Sequence, residues 1–315
     1  MTSAMRGESA NEKTEPGKLR AAHFESERKR LTRLAYRMLG SLSEAEDVVQ
    51  DAWLRWARVE GGIDSPAAYL TRIVTRLCLD RQKSARARRE TYVGPWLPDP
   101  LVESVEPDEV RADDITVTLM LAMERLSPLE RAAFLLHDVF DMKLSDVAAA
   151  LDREPTAVRQ LASRARKHVQ AARPRFSVEE AEAERITRAF FIAARDGDAT
   201  ALSSLLAHEV EIHSDGGGKV IAFRQIVRGI ERAIRLFVGQ RRKNLIPPTW
   251  LRTAVIDGLP GYISIDRGGF LQTTALDIRE HKIWAIYIVR NPDKLAHLSA
   301  ADSALLSSCA ARRDA

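Results

Sequence analysis

Apolar residues recur at helical spacing up to about residue 175 of this 315-residue chain, and beyond it they fall into short alternating runs. One repeating pattern therefore cannot describe the molecule. The chain reads as multi-domain, with two all-α domains followed by a separate α+β domain. The predicted divisions are a flexible tail over 1–20, a helical domain over 21–92, a linker over 93–117, a second helical domain over 118–175, the α+β domain over 178–298 and a tail over 299–315. At 45% hydrophobic and 29% charged residues, the composition is that of a globular chain. No apolar run is long enough for a membrane span and the N-terminus has no secretory pattern, so a cytoplasmic protein without membrane contact is expected. The two cysteines, Cys78 and Cys309, make no disulfide framework and no metal-ligand spacing. No cofactor or metal is expected.

Three helices are predicted near 24–40, 44–58 and 66–89. Ser43 and Glu46 have capping-box spacing, and Ser65 precedes a proline suited to a first helical turn. Residues 93–117 hold four of the 13 prolines and an acidic run that includes Asp99, Glu103, Glu106, Asp108, Glu109, Asp113 and Asp114, which predicts an extended linker. Helical spacing resumes at Thr118, and Ser127-Pro128-Leu129-Glu130 marks another helix start. The α+β domain opens with helices near 179–195 and 199–207. Strands are predicted at 210–214, 220–223, 250–256, 262–265, 270–278 and 283–289.

A net charge of +4 conceals clusters. Arg81, Lys83, Arg86, Arg88 and Arg89 form an acid-free group. Arg153, Arg159, Arg164, Arg166, Lys167, Arg173 and Arg175 form a second, interrupted by Glu154. Residues 143–169 have the length and the short turn of a helix-turn-helix. On its second helix Val158, Leu161, Ala162, Ala165 and Val169 make a buried stripe. Thr156, Arg159, Gln160, Ser163 and Lys167 occupy the opposite one, as a helix reading base edges and phosphates requires.

The order RLAYRMLGSLSEAEDVVQDAWLRW, SPAAYLTRIVTRLCLDRQKSARARRE and LSPLERAAFLLHDVFDMKLSDVAAALDREPTAVRQLASRARKHV resembles the region 2 and region 4 pair of bacterial extracytoplasmic-function sigma factors. The resemblance implies a non-enzymatic protein whose partners are RNA polymerase core and promoter DNA. It places Asp47, Val48, Gln50 and Asp51 on the polymerase. It sets Ile63, Asp64 and Ser65 of the 61–65 loop, followed by Tyr69, Arg72, Thr75 and Arg76, against the −10 element. Region 4 would read the −35 element through the helix-turn-helix face, with Arg153 and Arg164 beside it. Core packing is the competing role for Tyr69 and the expected one for Trp53.

Three further segments resemble the ECF41 subgroup, which carries a fused SnoaL-like (NTF2-like) domain, a cone of helices over a curved sheet. They are Trp96-Leu97-Pro98-Asp99-Pro100, Asp215-Gly216-Gly217-Gly218-Lys219 and Asn291-Pro292-Asp293-Lys294-Leu295. By that resemblance they form a regulatory contact between the extra domain and the linker, with Trp96 and Leu97 buried and Lys219 and Lys294 opposite Asp99. The glycine run lacks Walker-loop spacing, and a hairpin turn accounts for it. Ile186, Ala189, Phe190 and Ala193 make the apolar helical stripe, and later strands alternate around Trp250, Phe270, Trp284 and Tyr287. The resemblance also implies a pocket suited to a small apolar molecule, bound or converted. Glu211, His213 and Asp215 share one strand face there, which solvent exposure explains more simply than a proton-transferring His-Asp pair.

Overall fold

The computed structural model describes residues 14–59, 61–102, 115–170, 178–243, 247–266 and 268–301. The acidic residues from 103 to 114, Arg173, Arg175, Cys309 and the outermost parts of both expected tails lie outside the described residues, as do the side chains of Lys83, Arg86 and Arg88. The chain divides into two compact units, 1–87 with 123–170, and 88–122 with 171–315.

The first unit is helical. Helices α1 (Thr14–Leu39), α2 (Leu42–Ala57) and α3 (Pro66–Glu90) pack through Phe24, Leu31, Leu34, Val48, Ala52, Leu70 and Val74. Helix α1 starts ten residues before the expected position, so residues 14–20 of the expected tail are helical. Gly40, at φ 72°, ends α1, and the chain restarts with only Ser41 extended between the helices. Ser43 therefore already lies inside α2, and the expected capping box around it does not form. Ser41 makes no side-chain cap bond either; its hydroxyl meets that of Ser43 at 3.2 Å. At α3, Ser65 Oγ accepts from Ala68 N at 3.4 Å, as expected of an N-cap. Cys78 is buried, which pushes its thiol pKa far up.

After α4 (Val117–Met123), helix α5 (Pro128–Phe134) has the full reciprocal capping box between Ser127 and Glu130. A single π turn over Leu135–Val139 leads to α6 (Leu144–Leu151) and α7 (Pro155–Val169). Asp152 is left-handed at φ 55°, closing the short turn of the helix-turn-helix.

The second unit is α+β. Helices α8 (Glu180–Asp196) and α9 (Ala199–Leu205) precede strands β1 (Leu206–Asp215) and β2 (Val227–Arg228), and then helix α10 (Ile230–Arg242). Strands β3 (Thr249–Ile256), β4 (Leu259–Ile265), β5 (Leu271–Arg279) and β6 (Lys282–Val289) follow, with α11 (Pro292–Ala301) last. The sheet order is β2-β1-β6-β5-β4-β3; β1 and β6 are parallel and the other pairs antiparallel. Residues 220–223, expected as a strand, are loop: Val220 is buried but Ile221 is 89% exposed, and no strand pairs with them. Helix α10 was not among the predicted elements, although Ala233 and Phe237 bury one of its stripes. Phe270 lies outside the strands and is 47% exposed.

Both faces of the sheet are covered. The inner face, with Val210, Ile212, Leu276, Ile286 and Ile288, packs on Ile186, Phe190 and Phe237 from the helices. Phe191, Trp250 and Tyr262 fill the space between with mutual ring contacts at 4.9 to 5.2 Å. The outer face, with Ala275, Ala285, Tyr287 and Val289, packs on Leu97, Val117, Leu295 and Leu298.

These caps differ in what they stabilise. Ser127→Ala should lower the stability of the helical unit by about 1 kcal/mol, whereas Ser43→Ala should leave it unchanged within error. Urea titration followed by circular dichroism reads both.

Candidate nucleic-acid interface and linker clamp

On α7 the expected division of faces is present: Val158, Leu161, Ala162, Ala165 and Val169 are buried. Thr156, Arg159, Gln160, Ser163 and Lys167 are exposed. Among the described residues Arg159 and Lys167 have no acidic partner, so both charges are available to a polyanion. Arg153 is exposed and donates to the neighbouring Asp152 carbonyl at 2.8 Å. Arg164 is drawn to Glu130 at 3.0 Å, and Arg166 to Asp138 at 2.5 Å. These two arginines therefore tie α7 to the preceding helical turns.

In the first domain exposed Asp47 and half-buried Asp51 on α2 bracket Arg81, at 3.4 and 2.8 Å. Gln50 is exposed beside them. Val48 is fully buried in the helical core, which corrects its expected place among the polymerase contacts. Ile63 is half-buried, and Asp64 and Ser65 are exposed ahead of α3. Tyr69 is half-buried against Trp56 at 5.8 Å, with the Arg72 guanidinium 5.5 Å from its ring, so packing and an accessible edge coexist. Arg76 is exposed. Thr75 is fully buried and its hydroxyl donates to the Thr71 carbonyl at 2.8 Å, so the expected −10 contact through Thr75 does not stand. Trp53 packs on Phe24 at 5.0 Å.

The linker motif meets both C-terminal motifs within the second unit. Asp215, at the end of β1, is 1% exposed, and its carboxylate accepts four hydrogen bonds. Tyr92 Oη donates to it at 2.6 Å, Leu97 N at 2.9 Å, Gly217 N at 3.0 Å and Lys294 Nζ at 2.8 Å. Lys294 also donates to the Leu97 carbonyl. Asn291 Nδ2 donates to the Tyr92 hydroxyl at 2.9 Å, and the Asp215 carbonyl accepts from Arg290 N and Asn291 N. Trp96 lies between the Arg89 guanidinium at 3.9 Å and Lys294 Nζ at 4.6 Å, and Leu97 is buried. His297 Nε2 lies 3.0 Å from the Pro100 carbonyl.

Electrostatics follows burial. Desolvation lowers the Lys294 pKa and the Asp215 carboxylate opposes it, while burial and then the bond to Asp215 push the Tyr92 hydroxyl up. The expected charge pattern is thus rearranged. Lys294 meets Asp215 directly, with Asp99 buried nearby, and Lys219 pairs instead with exposed Asp293 at 2.6 Å. Pro292 opens α11, while Pro98 and Pro100 hold the linker extended and Leu295 joins the outer-face core.

The glycines answer to this contact. Gly217, at φ 62°, has Asn291 Nδ2 2.3 Å from where a Cβ would stand, and Gly218, at φ 72°, has Val93 at 3.3 Å. Gly216 would place a Cβ 2.2 Å from the Val220 carbonyl. The run is a turn, as expected, but the antiparallel partner of β1 comes only at Val227–Arg228, beyond a long loop.

The sequence reading missed two holding points. Tyr92 is one. Asp257, in the β3–β4 turn, is the other: buried and left-handed at φ 45°, it grips both described ends of the linker. Its N–H donates to the Leu101 carbonyl at 2.9 Å, its carboxylate accepts from Leu101 N at 3.2 Å, and its carbonyl accepts from Val117 N at 3.2 Å. Asp257-Gly258 is a recognisable turn pair, but nothing local in the sequence names its partners.

Glu211, His213 and Asp215 do share the outer sheet face, yet their expected solvent exposure is overturned for His213 and Asp215. Asp215 is sequestered by the linker, and His213 Nε2 meets Glu211 at 3.0 Å instead. Desolvation lowers the His213 pKa against the pull of Glu211, so no His-Asp pair with raised basicity forms. An open cavity of about 610 Å³ lies on the outer face, lined by Thr118, Glu211, Arg228, Asp277, Arg279 and Tyr287 among others.

Removing the cation tests the clamp. Lys294→Met leaves Asp215 buried without its counter-charge, a loss of about 3–5 kcal/mol for a broken buried pair. The expected outcome is chymotryptic cleavage at Tyr92 or Trp96 under conditions where the parent protein resists it. Adding Asp215→Asn should restore part of the resistance.

Comparison with known proteins agrees with this geometry. Residues 23–88 match the model of Sigma-70 region 2, and residues 116–169 that of Sigma-70, region 4. The ECF RNA polymerase sigma factor SigJ of Mycobacterium tuberculosis is 36% identical, over 88% of this chain and 93% of its own. The probable ECF RNA polymerase sigma factor SigI of the same species is 34% identical, over 89% and 96%. A crystal structure of SigJ is similar at a TM-score of 0.70 and 32% identity, covering 88% of this chain and 98% of that one. With two helical sigma domains in this order and an α+β domain fused behind them, the chain belongs to the extracytoplasmic-function sigma factors.

Proposed function

We propose that this sigma factor, which directs RNA polymerase to promoters and initiates transcription, is modulated in cis by its α+β domain through the linker between its DNA-binding domains. The observation that carries the reading is the buried Asp215 carboxylate, whose donors come from the linker, the glycine turn and the Asn291–Leu295 motif together. A free linker of some two dozen residues lets two binding modules separate and lowers the effective concentration of the second once the first is bound. Anchoring the linker at Tyr92, Leu97, Leu101 and Val117 on one domain removes most of that freedom.

Within this reading Asp47, Gln50 and Asp51 dock on polymerase. Ile63, Asp64, Ser65, Tyr69, Arg72 and Arg76 face the −10 element; an accessible aromatic ring with arginines nearby suits an unstacked strand. Arg153, Thr156, Arg159, Gln160, Ser163 and Lys167 meet the −35 duplex, and Arg164 joins them only by leaving Glu130.

A second reading, a small-molecule ligand in the outer-face cavity, draws on Thr118. Its hydroxyl donates to Asp277 at 3.0 Å and lies 3.0 Å from the Tyr287 hydroxyl. An occupant bonding those groups would compete with the linker's return into α4. The charged lining favours a polar molecule over the apolar one expected from the sequence.

Transcription in vitro with core polymerase tests both halves of the main reading. Arg159→Ala or Gln160→Ala should relax −35 preference by about 1–3 kcal/mol per lost base contact, while Lys167→Ala should weaken all promoters alike and flatten the salt dependence. Unchanged selectivity in the first two would remove the recognition assignment. Trp96→Ala and deletion of residues 216–218 should alter transcription in the same direction and combine less than additively. Simple summation would sink the clamp and leave the family intact.

A further inference from the structure

Residues 219–243 hold eight basic side chains against Glu231 alone, a surplus larger than the +4 of the whole chain. None of the established roles uses it. Arg232, Arg235 and Arg242 recur at i, i+3 and i+10 along α10, on the side away from buried Ala233 and Phe237, and all three are exposed. Among the described residues none of the three has a hydrogen-bonded or ionic partner. The position between them on this face, i+7, is Gly239, and nothing lies within 4 Å of where its Cβ would stand. A glycine inside an exposed helix costs about 1 kcal/mol relative to alanine. Here it opens a gap in the arginine row through which another backbone can approach closely.

The row continues at its N-terminal end into a groove of about 600 Å³. Arg224, Arg228 and Arg232 line it beside Tyr92, Gly94 and Pro95, with no acidic side chain in its wall. Arg228 is shared with Glu211 at 2.8 Å, so among the described residues Arg224 and Arg232 are the cations of the groove without an acidic partner. Helix α10 is about 20 Å long, enough to pass several phosphates of a duplex that carries one charge per strand every ~3.4 Å.

We propose that this arginine face of α10 is a sequence-independent contact to the phosphate backbone of promoter DNA, a DNA-binding surface on the α+β domain itself. The assignment rests on the sigma-factor reading, which supplies the DNA, and is independent of the linker clamp. On α10 itself the face carries guanidinium groups in a row with a glycine between them, which suits phosphates rather than base edges; the Gln225 amide lies in the groove beyond the helix. Each neutralised phosphate adds about 0.9 to the slope of log affinity against log salt. Three contacts therefore account for a slope of about 2.7, a difference of roughly 40-fold between ~50 and ~200 mM salt.

The experiment uses holoenzyme assembled from core polymerase and the full chain, bound to fluorescent promoter duplex over a salt series. Arg232→Gln, Arg235→Gln and Arg242→Gln together should flatten the slope by 2 to 3, weaken matched and mismatched promoters equally, and leave binding to core unchanged. A second arm needs no charge removal: Gly239→Cys carrying an aryl azide, with Cys309→Ser in the same chain so that the label sits on α10, should photolabel DNA. An unchanged salt slope in the triple variant, or an azide that labels a polymerase subunit instead of DNA, overturns the proposal, the latter pointing to an acidic protein surface as the partner. Arg159→Ala in the same assay separates the two assignments. If it relaxes promoter choice while the triple variant keeps the parent slope, only the α10 surface fails.

Discussion

The organisation of the second unit depends on one buried carboxylate. Asp215 is removed from water, and an isolated charge there would be prohibitively unstable; it persists because four donors converge on it. Tyr92 and Leu97 are linker residues, Gly217 is in the turn after β1, and Lys294 is in the first turn of α11. None can leave without exposing the others to an unpaired group, so segments more than a hundred residues apart become conditional on one another. The ion pair itself contributes little net stability after desolvation. Its geometry ties the backbone of Leu97 to the sheet, with Leu97 N donating to Asp215 and the Leu97 carbonyl accepting from Lys294.

That arrangement is available because the sheet has two apolar faces and helices α8, α9 and α10 cover only one of them. Phe190, Phe191, Phe237 and Tyr262 complete the inner core, leaving Ala275, Tyr287 and Val289 on the outer face in need of cover. Leu97, Val117 and the α11 residues Leu295 and Leu298 provide it. The linker is therefore part of this domain's core as well as a connection between sigma domains, and Asp257 fastens both of its described ends to a single turn.

Much of this was legible where local chemistry decides the outcome. The α7 stripes, the Ser127 capping box and the turn at Gly216–Gly218 each follow from spacing, because helical periodicity, capping and positive φ act over a few residues. Family resemblance identified the three motifs of the clamp. What failed was set by neighbours distant in sequence. Val48 on α2 and Thr75 on α3 are set apart from exposed positions on the same helices only when the three helices pack together. Residues 220–223 have strand composition but no strand to pair with. Tyr92 and Asp257 were missed because a tyrosine near a helix end and an Asp-Gly turn are ordinary features, and only the folded sheet brings them to the linker. The expected pairing of Lys219 with Asp99 was wrong in partner because charge patterns in sequence do not encode which lysine is desolvated.

The most direct measurement is hydrogen exchange at the backbone amides of Leu97 and Leu101 in the full-length protein. Both amides donate to buried carboxylates of the α+β domain. If the linker is part of that domain's core, they should exchange only with its cooperative opening, at protection matching the amides of β5 and β6. Exchange at the rate of an unstructured chain, with β5 and β6 still protected, would contradict the account.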